Sequence, residues 1–154
     1  MRLGFPPARG RAVGDIVKLI EPPPSRQVFT QAFTPKPSDI DDNGHVNNVV
    51  YLDWAQQLAI AHWTSRAPAD DQAAYAWIAL RHEVDYRRPL LPHETAQART
   101  WVSETTEGPR FDRFVRIDGP DGAMCAQVKT TWVLIEKATG RPRRVPPQML
   151  AMFS

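Results

Sequence analysis

The chain has 154 residues, of which 42% are hydrophobic and 23% charged, and its formal net charge is +2. This length and composition predict one globular domain with a hydrophobic core of its own. The composition argues against a nucleic-acid partner, because the densest basic stretch, residues 141–144, is short. It also argues against a membrane-spanning protein, since no apolar run approaches the roughly 20 residues that a bilayer requires.

The expected cellular compartment follows from a single cysteine. With only Cys125 in the chain, no internal disulfide can form. We expect a structural role for this thiol, because nothing near it in the sequence would activate it. Residues 1–20 contain no apolar stretch typical of a secretory signal. We therefore expect a cytoplasmic protein.

The N-terminal region is rich in proline. The chain has 15 prolines, about twice the usual share, and three of them form a run at residues 22–24. Proline of this density is incompatible with a central strand or a regular helix. We predict an extended arm over residues 1–26 and a folded domain over residues 27–154.

Hydrophobic periodicity predicts the elements of the domain. Residues 27–33 alternate as a strand does, and a polar turn follows them. A mostly apolar stretch then predicts one helix over residues 46–65, which we expect to be largely enclosed by other structure. The polar positions of this helix form one narrow stripe: Asp53, Gln56, Gln57 and Thr64.

The second half of the chain predicts strands only. Alternation recurs at residues 77–86, 95–104, 111–118 and 124–136, and a strong turn signal lies at residues 118–122. Consecutive strands joined by short turns favour antiparallel pairing. We predict an α+β domain in which a five-stranded antiparallel sheet curls round one long central helix.

The turn before the helix carries more polar side chains than a turn needs. Helix capping by Asp42 or Asn43 would explain two or three of them. It would not explain His45, Asn47 and Asn48 in the first turn of an apolar helix, because unpaired buried polar groups cost roughly 1–3 kcal/mol each. The excess predicts a polar pocket.

Such a pocket suits an acyl substrate. Backbone N–H groups at the start of a helix lack intrahelical partners and carry the positive end of the dipole. They can stabilise the oxyanion that develops when a carbonyl is attacked. Asp41 is placed to attack that carbonyl or to take a proton from water, with Asn43 and His45 as orienting or proton-carrying groups. A metal site is disfavoured, because one histidine near carboxylates has poor ligand spacing.

Several other residues are weaker candidates. His82 is predicted on the inward face of its strand with Ile78 and Leu80, and could approach the substrate. His62 is predicted to be a core or interface histidine, and Trp101 to lie in a subunit contact. The arginines at 87 and 88 suit a phosphate group, although a solvated strand end explains them as well.

The stretch Asp39-x-Asp41-x-x-Gly44-His45-Val46-Asn47-Asn48-x-x-Tyr51 resembles the signature of the hotdog-fold thioesterases. It is similar to the 4-hydroxybenzoyl-CoA thioesterase-like and acyl-acyl-carrier-protein thioesterase branches, and the resemblance extends over residues 27–153. It implies the hotdog fold. In the first branch the second Asp of the motif, here Asp41, is the catalytic carboxylate. In the second branch the implicated residues correspond to Asp41, Asn43 and His45.

One departure distinguishes the two branches. The plant carrier-protein enzymes carry Glu and Cys where this chain has Pro89 and Leu90, whereas the bacterial acyl-CoA branch commonly has Arg-Pro, as here. The resemblance therefore implies hydrolysis of acyl-CoA without cofactor or metal, by a homodimer or homotetramer with its active site at the subunit boundary. The substrate-binding residues would be Gly44, Val46, Asn47, Asn48, Tyr51 and His82. An acyl-carrier-protein thioesterase and a non-catalytic acyl-binding module remain alternatives.

Overall fold

The computed structural model describes residues 18–154. In chain order the elements are strand β1, a 3-10 turn, helices α1 and α2, strands β2 to β6 and helix α3. Their bounds are β1 Phe29–Phe33, the 3-10 turn Pro37–Asp39, α1 Asn48–Arg66, α2 Ala69–Ala74, β2 Tyr75–Tyr86, β3 Ala96–Glu107, β4 Arg110–Asp118, β5 Met124–Glu136, β6 Arg141–Pro142 and α3 Pro147–Ala151.

The strands form one antiparallel sheet in the order β1-β3-β4-β5-β2, with the two-residue β6 paired to β5. Helix α1 lies against it and contacts β1, β3, β4 and β5. The predicted architecture, a five-stranded antiparallel sheet curled round one long helix, is confirmed. Strands β1 and β2 are the two edges, so each has one side without a neighbouring strand among the described residues.

The start of α1 differs from the prediction. The helix begins at Asn48 rather than residue 46, and its N-cap is Asn47 instead of Asp42 or Asn43. His45 and Val46 precede the helix because Val46 is extended and forms a bridge with Ile40. The polar turn is therefore a small closed loop in front of the helix.

Strand β2 contains a bulge that the sequence pattern does not reveal. Its register with β5 pairs Ala79 with Trp132 and Arg81 with Thr131, so Leu80 is an extra residue. An inserted residue reverses the inward and outward phase of the strand. The prediction that Ile78 and Leu80 face inward with His82 is wrong, and they are 55% and 56% exposed.

Two expectations about enclosure also need correction. Helix α1 has an open side in the described chain, where Val49 and Ile60 are 66% and 59% exposed. Trp101, predicted in a subunit contact, is buried within the chain itself and stacks on Phe114 at a ring-centroid distance of 6.1 Å.

The described part of the proline-rich arm, residues 18–26, crosses the outer face of the sheet. The backbone N–H of Ile20 donates to Gln127 on β5, and Arg26 donates to the carbonyl oxygens of Ser103 and Glu104 on β3. We name this segment the strap. The rest of the predicted arm lies outside the described residues.

Within residues 18–154, no helix is long and apolar enough to cross a membrane. The buried apolar side chains form two clusters. One lies under the first half of α1 and includes Val50, Trp54 and Leu58. The other lies near the C-terminal end of the chain and includes Phe111 and Phe153.

Candidate active site

The loop between Ile40 and Val46 is closed by its own backbone. The N–H of Asp41 donates to the carbonyl of His45 at 2.8 Å, and the N–H of Gly44 donates to the carbonyl of Asp41 at 3.0 Å. Gly44 has a φ of 77°, a left-handed conformation that glycine adopts without strain. This tight turn places Asp41 at the base of the loop, directly before α1.

The Asp41 carboxylate has one oxygen engaged and one free. Its Oδ1 accepts the backbone N–H groups of Asn43 at 2.9 Å and His45 at 3.3 Å. Its Oδ2 has no hydrogen-bond partner within residues 18–154, and the residue is half-buried. The loop therefore holds the carboxylate in one orientation and leaves an oxygen available for a reacting group.

The helix start is also partly satisfied and partly open. The Asn47 side chain accepts the N–H of Val49 at 3.2 Å, and its carbonyl accepts the N–H of Val50 at 2.9 Å. The N–H of Asn48 has no partner in the described part of the chain. One helix-terminal amide is thus free to donate to a substrate oxygen, with the dipole behind it.

Two tyrosines anchor this corner. Tyr51 is buried, and its hydroxyl oxygen accepts the N–H of Leu90 at 3.1 Å. Burial raises its pKa far above the ordinary value, so the phenol stays neutral. The hydroxyl of Tyr86, at the end of β2, donates to the carbonyl of Asn48 at 2.9 Å. Together they tie the helix start to the strand ends beside it.

The structure brings most of the sequence-predicted site residues together. Seven lie in the loop and at the helix start: Asp41, Asn43, Gly44, His45, Val46, Asn47 and Asn48. The side chains differ in access, since Asn43, Asn47 and Asn48 are exposed and Val46 is buried. Tyr51 lies beneath them as a core residue rather than at a surface.

His82 does not join this group. It lies on the inner face of β2, with Nδ1 2.8 Å from the Thr130 hydroxyl and Nε2 3.5 Å from Nε2 of Gln56 on α1. Burial lowers its pKa below the ordinary value, which favours the neutral imidazole. His82 therefore lies within the edge strand β2, apart from the Asp41 loop.

A cavity of about 470 Å³ opens beside the second half of α1. Its walls are mostly apolar, and Trp63, Trp77, Val102 and Phe111 are among them. None of the predicted catalytic residues lines it. Its first wall residue on α1 is Gln56, eight positions after Asn48, which is roughly 12 Å along the helix axis.

Sequence reasoning missed one wall residue of this cavity, Arg113. It is a charged side chain on the inner face of β4, only 7% exposed. A signal existed: Arg113 is in phase with Phe111, Val115 and Ile117, which the sequence predicts on the buried face. His62, expected in the core, is fully buried and lies 2.9 Å from Arg113.

One of the two arginines at the end of β2 is paired with a carboxylate. Arg88 forms an ion pair with Asp121, and this contact lowers the pKa of the Asp121 carboxyl. Cys125 is buried close to this pair, and burial raises the pKa of its thiol to about 12. The thiol is therefore inert as a nucleophile, in keeping with the structural role expected for it.

No group of three or more His, Cys, Asp or Glu side chains within residues 18–154 is arranged to hold a metal ion. The chemistry available at the loop and the helix start is that of two carboxylates, three asparagine amides, an imidazole and a helix N-terminus.

The family model of the thioesterase-like superfamily matches residues 35–153. The chain belongs to the thioesterase-like superfamily. The match covers the Asp41 loop, α1 and the strands from β2 to β6. No curated protein matches the sequence.

Solved structures of other bacterial proteins share the fold. A thioesterase from Thermus thermophilus, solved with coenzyme A and zinc, has a TM-score of 0.71 at 21% identity, covering 84% of this chain and 93% of its own. A Staphylococcus aureus protein solved with CoA has a TM-score of 0.72 at 16% identity, and the match covers 82% of each chain. The 1,4-dihydroxy-2-naphthoyl-CoA thioesterase from Synechocystis has a TM-score of 0.69 at 15% identity, and the match covers 80% of this chain and 95% of that one.

Proposed function

We propose that this thioesterase-like protein hydrolyses an acyl-CoA to the free acid and CoA, with Asp41 as the catalytic carboxylate. The observation that carries the proposal is the half-engaged carboxylate: Oδ1 is held by two loop amides and Oδ2 is free beside the start of α1. Membership of the superfamily and the CoA found in two structural neighbours support the substrate class.

Asp41 can act in two ways that lead to the same products. As a general base it takes a proton from water, the water oxygen bonds to the thioester carbon, and the carbon–sulfur bond breaks to release the CoA thiolate. As a nucleophile its Oδ2 attacks the carbon itself, and water then cleaves the resulting anhydride. In both routes the thiolate leaves and takes up a proton.

The developing oxyanion needs a donor, and the free N–H of Asn48 supplies one. Asn43 and His45 stand on the same loop as Asp41, where they orient the water or the carboxylate. Gly44, Val46, Asn47 and Tyr51 fix the shape of the loop and the helix start. His82 is placed near the acyl chain by its contact with Gln56 in the cavity wall. No step requires a metal or an organic cofactor.

The separation between Asp41 and the cavity supports a site shared between two subunits. A two-fold axis at the free edge of β2 would pair that strand antiparallel with its copy. The two α1 helices would then run antiparallel, so the start of one helix faces the second half of the other. Asp41 of the partner subunit would thereby stand beside the cavity that holds the acyl chain. We therefore propose a homodimer as the smallest active unit.

The direct test is hydrolysis of an acyl-CoA panel with a free-thiol readout, comparing the wild type with Asp41→Asn. We expect the substitution to lower kcat by at least about 100-fold, because the amide can neither accept the proton nor attack. Asp42→Asn is the matched control, since this neighbouring carboxylate is exposed. Equal activity of wild type and Asp41→Asn would exclude the assigned role, and absence of any hydrolysis would exclude the function.

A further inference from the structure

A row of polar side chains crosses the inner face of the sheet between the two apolar clusters. The registers place Arg113 on β4, Thr130 on β5 and His82 on β2 side by side. Thr100 on β3 extends the row through a hydrogen bond to Arg113. The row runs from His82 on the half-buried edge strand to the largely buried guanidinium of Arg113. A polar row inside a core is costly unless its members are paired or used.

All hydrogen-bond partners of Arg113 are neutral. Its Nη1 donates to Nδ1 of His62 at 2.9 Å and to the Thr100 hydroxyl at 3.0 Å, and the guanidinium carbon lies 5.5 Å from the centre of the Phe153 ring. Since Arg113 can only donate, His62 accepts at Nδ1 and donates from Nε2 to Gln27, 3.1 Å away. Burial and the cation beside it lower the pKa of His62, so the imidazole adds no charge.

The positive charge of Arg113 has no counter-charge in the described chain. No carboxylate lies within ion-pair distance of it in residues 18–154. The adjacent Asp112 accepts from the Thr131 hydroxyl at 2.7 Å and stands 3.7 Å from Lys129. A buried cation without an anion is strongly disfavoured, as the lowered pKa of Arg113 reflects.

One edge of the guanidinium remains available. Nε and Nη2 of Arg113 have no hydrogen-bond partner among residues 18–154. In that range Nε1 of Trp132 is the only enclosed side-chain nitrogen or oxygen without a partner, so these two arginine nitrogens are not enclosed. The free edge of Arg113 is therefore accessible from the cavity that this residue lines. Nε and Nη2 present two parallel N–H bonds, a fork that matches the two oxygens of a carboxylate.

We propose that Arg113 binds a carboxylate at the far end of the acyl chain, so that the preferred substrates are CoA thioesters of dicarboxylic acids. This inference rests on the proposed hydrolase function and adds the chemical class of the acyl group. The apolar walls hold the methylene chain, and the buried fork receives the terminal carboxylate. An uncharged chain of the same length would leave the guanidinium unpaired.

The test compares pairs of equal length in the free-thiol assay: succinyl-CoA with butanoyl-CoA, adipoyl-CoA with hexanoyl-CoA, and suberoyl-CoA with octanoyl-CoA. We expect kcat/KM to favour the carboxylated member of at least one pair by about 10- to 100-fold. Arg113→Met should remove that preference, bringing the ratio of kcat/KM within the pair close to one. Arg110→Met, an exposed arginine on the same strand, is the matched control and should keep the preference.

Binding provides a readout that does not depend on turnover. Octanoate, whose carboxylate can reach the fork, should raise the Tm of the wild type and of Arg110→Met. The uncharged octanamide should do so less, and Arg113→Met should lose the difference. Arg113→Lys, which keeps the charge without the fork, covers the case in which the methionine variant does not fold. Hydrolysis of both members of every pair at equal rates overturns the inference and leaves the hydrolase function standing. Preference for a hydroxylated or keto chain over the carboxylated one also overturns it.

Discussion

Asn47 and Asp41 have different roles at the start of α1. Asn47 satisfies the helix, because its Oδ1 takes the Val49 amide. Asp41 satisfies the loop with one oxygen and keeps the other free. Because Asn47 caps the helix, the Asp41 carboxylate does not act as the N-cap. The residue that stabilises and the residue proposed to react can therefore be separated by substitution.

Asn47→Ala should lower the free energy of unfolding by about 1 kcal/mol, the usual effect of losing an N-cap side chain. Urea denaturation followed by far-UV circular dichroism measures this change. Asn43→Ala is the control, because the Asn43 side chain is exposed and makes no hydrogen bond within residues 18–154. A loss of equal size in both variants would show that the Asn47 cap contributes nothing specific.

At the level of the elements, strand β2 is the edge at which the proposed dimer would form. The bulge at Leu80 turns Ile78 and Leu80 outward on the edge strand, more than half exposed. Val49 and Ile60 are exposed on α1. Edge strands with exposed apolar side chains are prone to pair with another strand. These exposed apolar side chains flank the edge at which the proposed dimer would form.

Ile78→Lys should weaken self-association, because a lysine ammonium would be desolvated at a paired β2 edge. Analytical ultracentrifugation over a range of concentrations should show a shift from dimer towards monomer. Val28→Lys, at an exposed apolar residue just before the opposite edge strand β1, should leave the association unchanged. A wild type that remains monomeric at every concentration would refute the proposed dimer.

The sequence predicts the elements and the sheet well, for a physical reason. Alternation and turn signals depend on local contacts, so strands β3 to β5 are found within a few residues of their bounds. The bulge at Leu80 is not predicted, because one inserted residue shifts the inward and outward phase of the strand without changing its composition. The burial of Arg113 is not predicted, because a buried face is recognised in the sequence by its apolar residues and Arg113 is charged. Polar excess localises the candidate site to its loop, whereas the separation of that loop from the cavity depends on three-dimensional packing.

At the level of the whole molecule, the buried row links pH to stability. Burial, followed by the charges of Arg113 and Arg66, lowers the pKa of His62 from 6.5 to about 3. Between these two values the unfolded chain binds a proton that the folded protein does not. Folding is therefore favoured above the unfolded pKa, and stability falls as the pH drops through this interval.

We expect the free energy of unfolding to decrease below pH 6.5 with a slope of at most about 1.4 kcal/mol per pH unit from His62. His62→Gln should flatten this dependence, although His82 contributes in the same direction. Urea titrations at several pH values measure the slopes. A variant at position 62 with the wild-type slope would contradict the assignment.

Phe153 forms one wall of the cavity. Its ring is buried, with its centroid 4.9 Å from that of His62 and 6.3 Å from that of Phe111, and it faces the guanidinium of Arg113. The carbonyl of Phe153 also accepts the N–H of Gln27, directly after the strap. This wall of the cavity is therefore tied to the strap, so a substitution that loosens the strap is expected to alter the acyl end of the cavity as well.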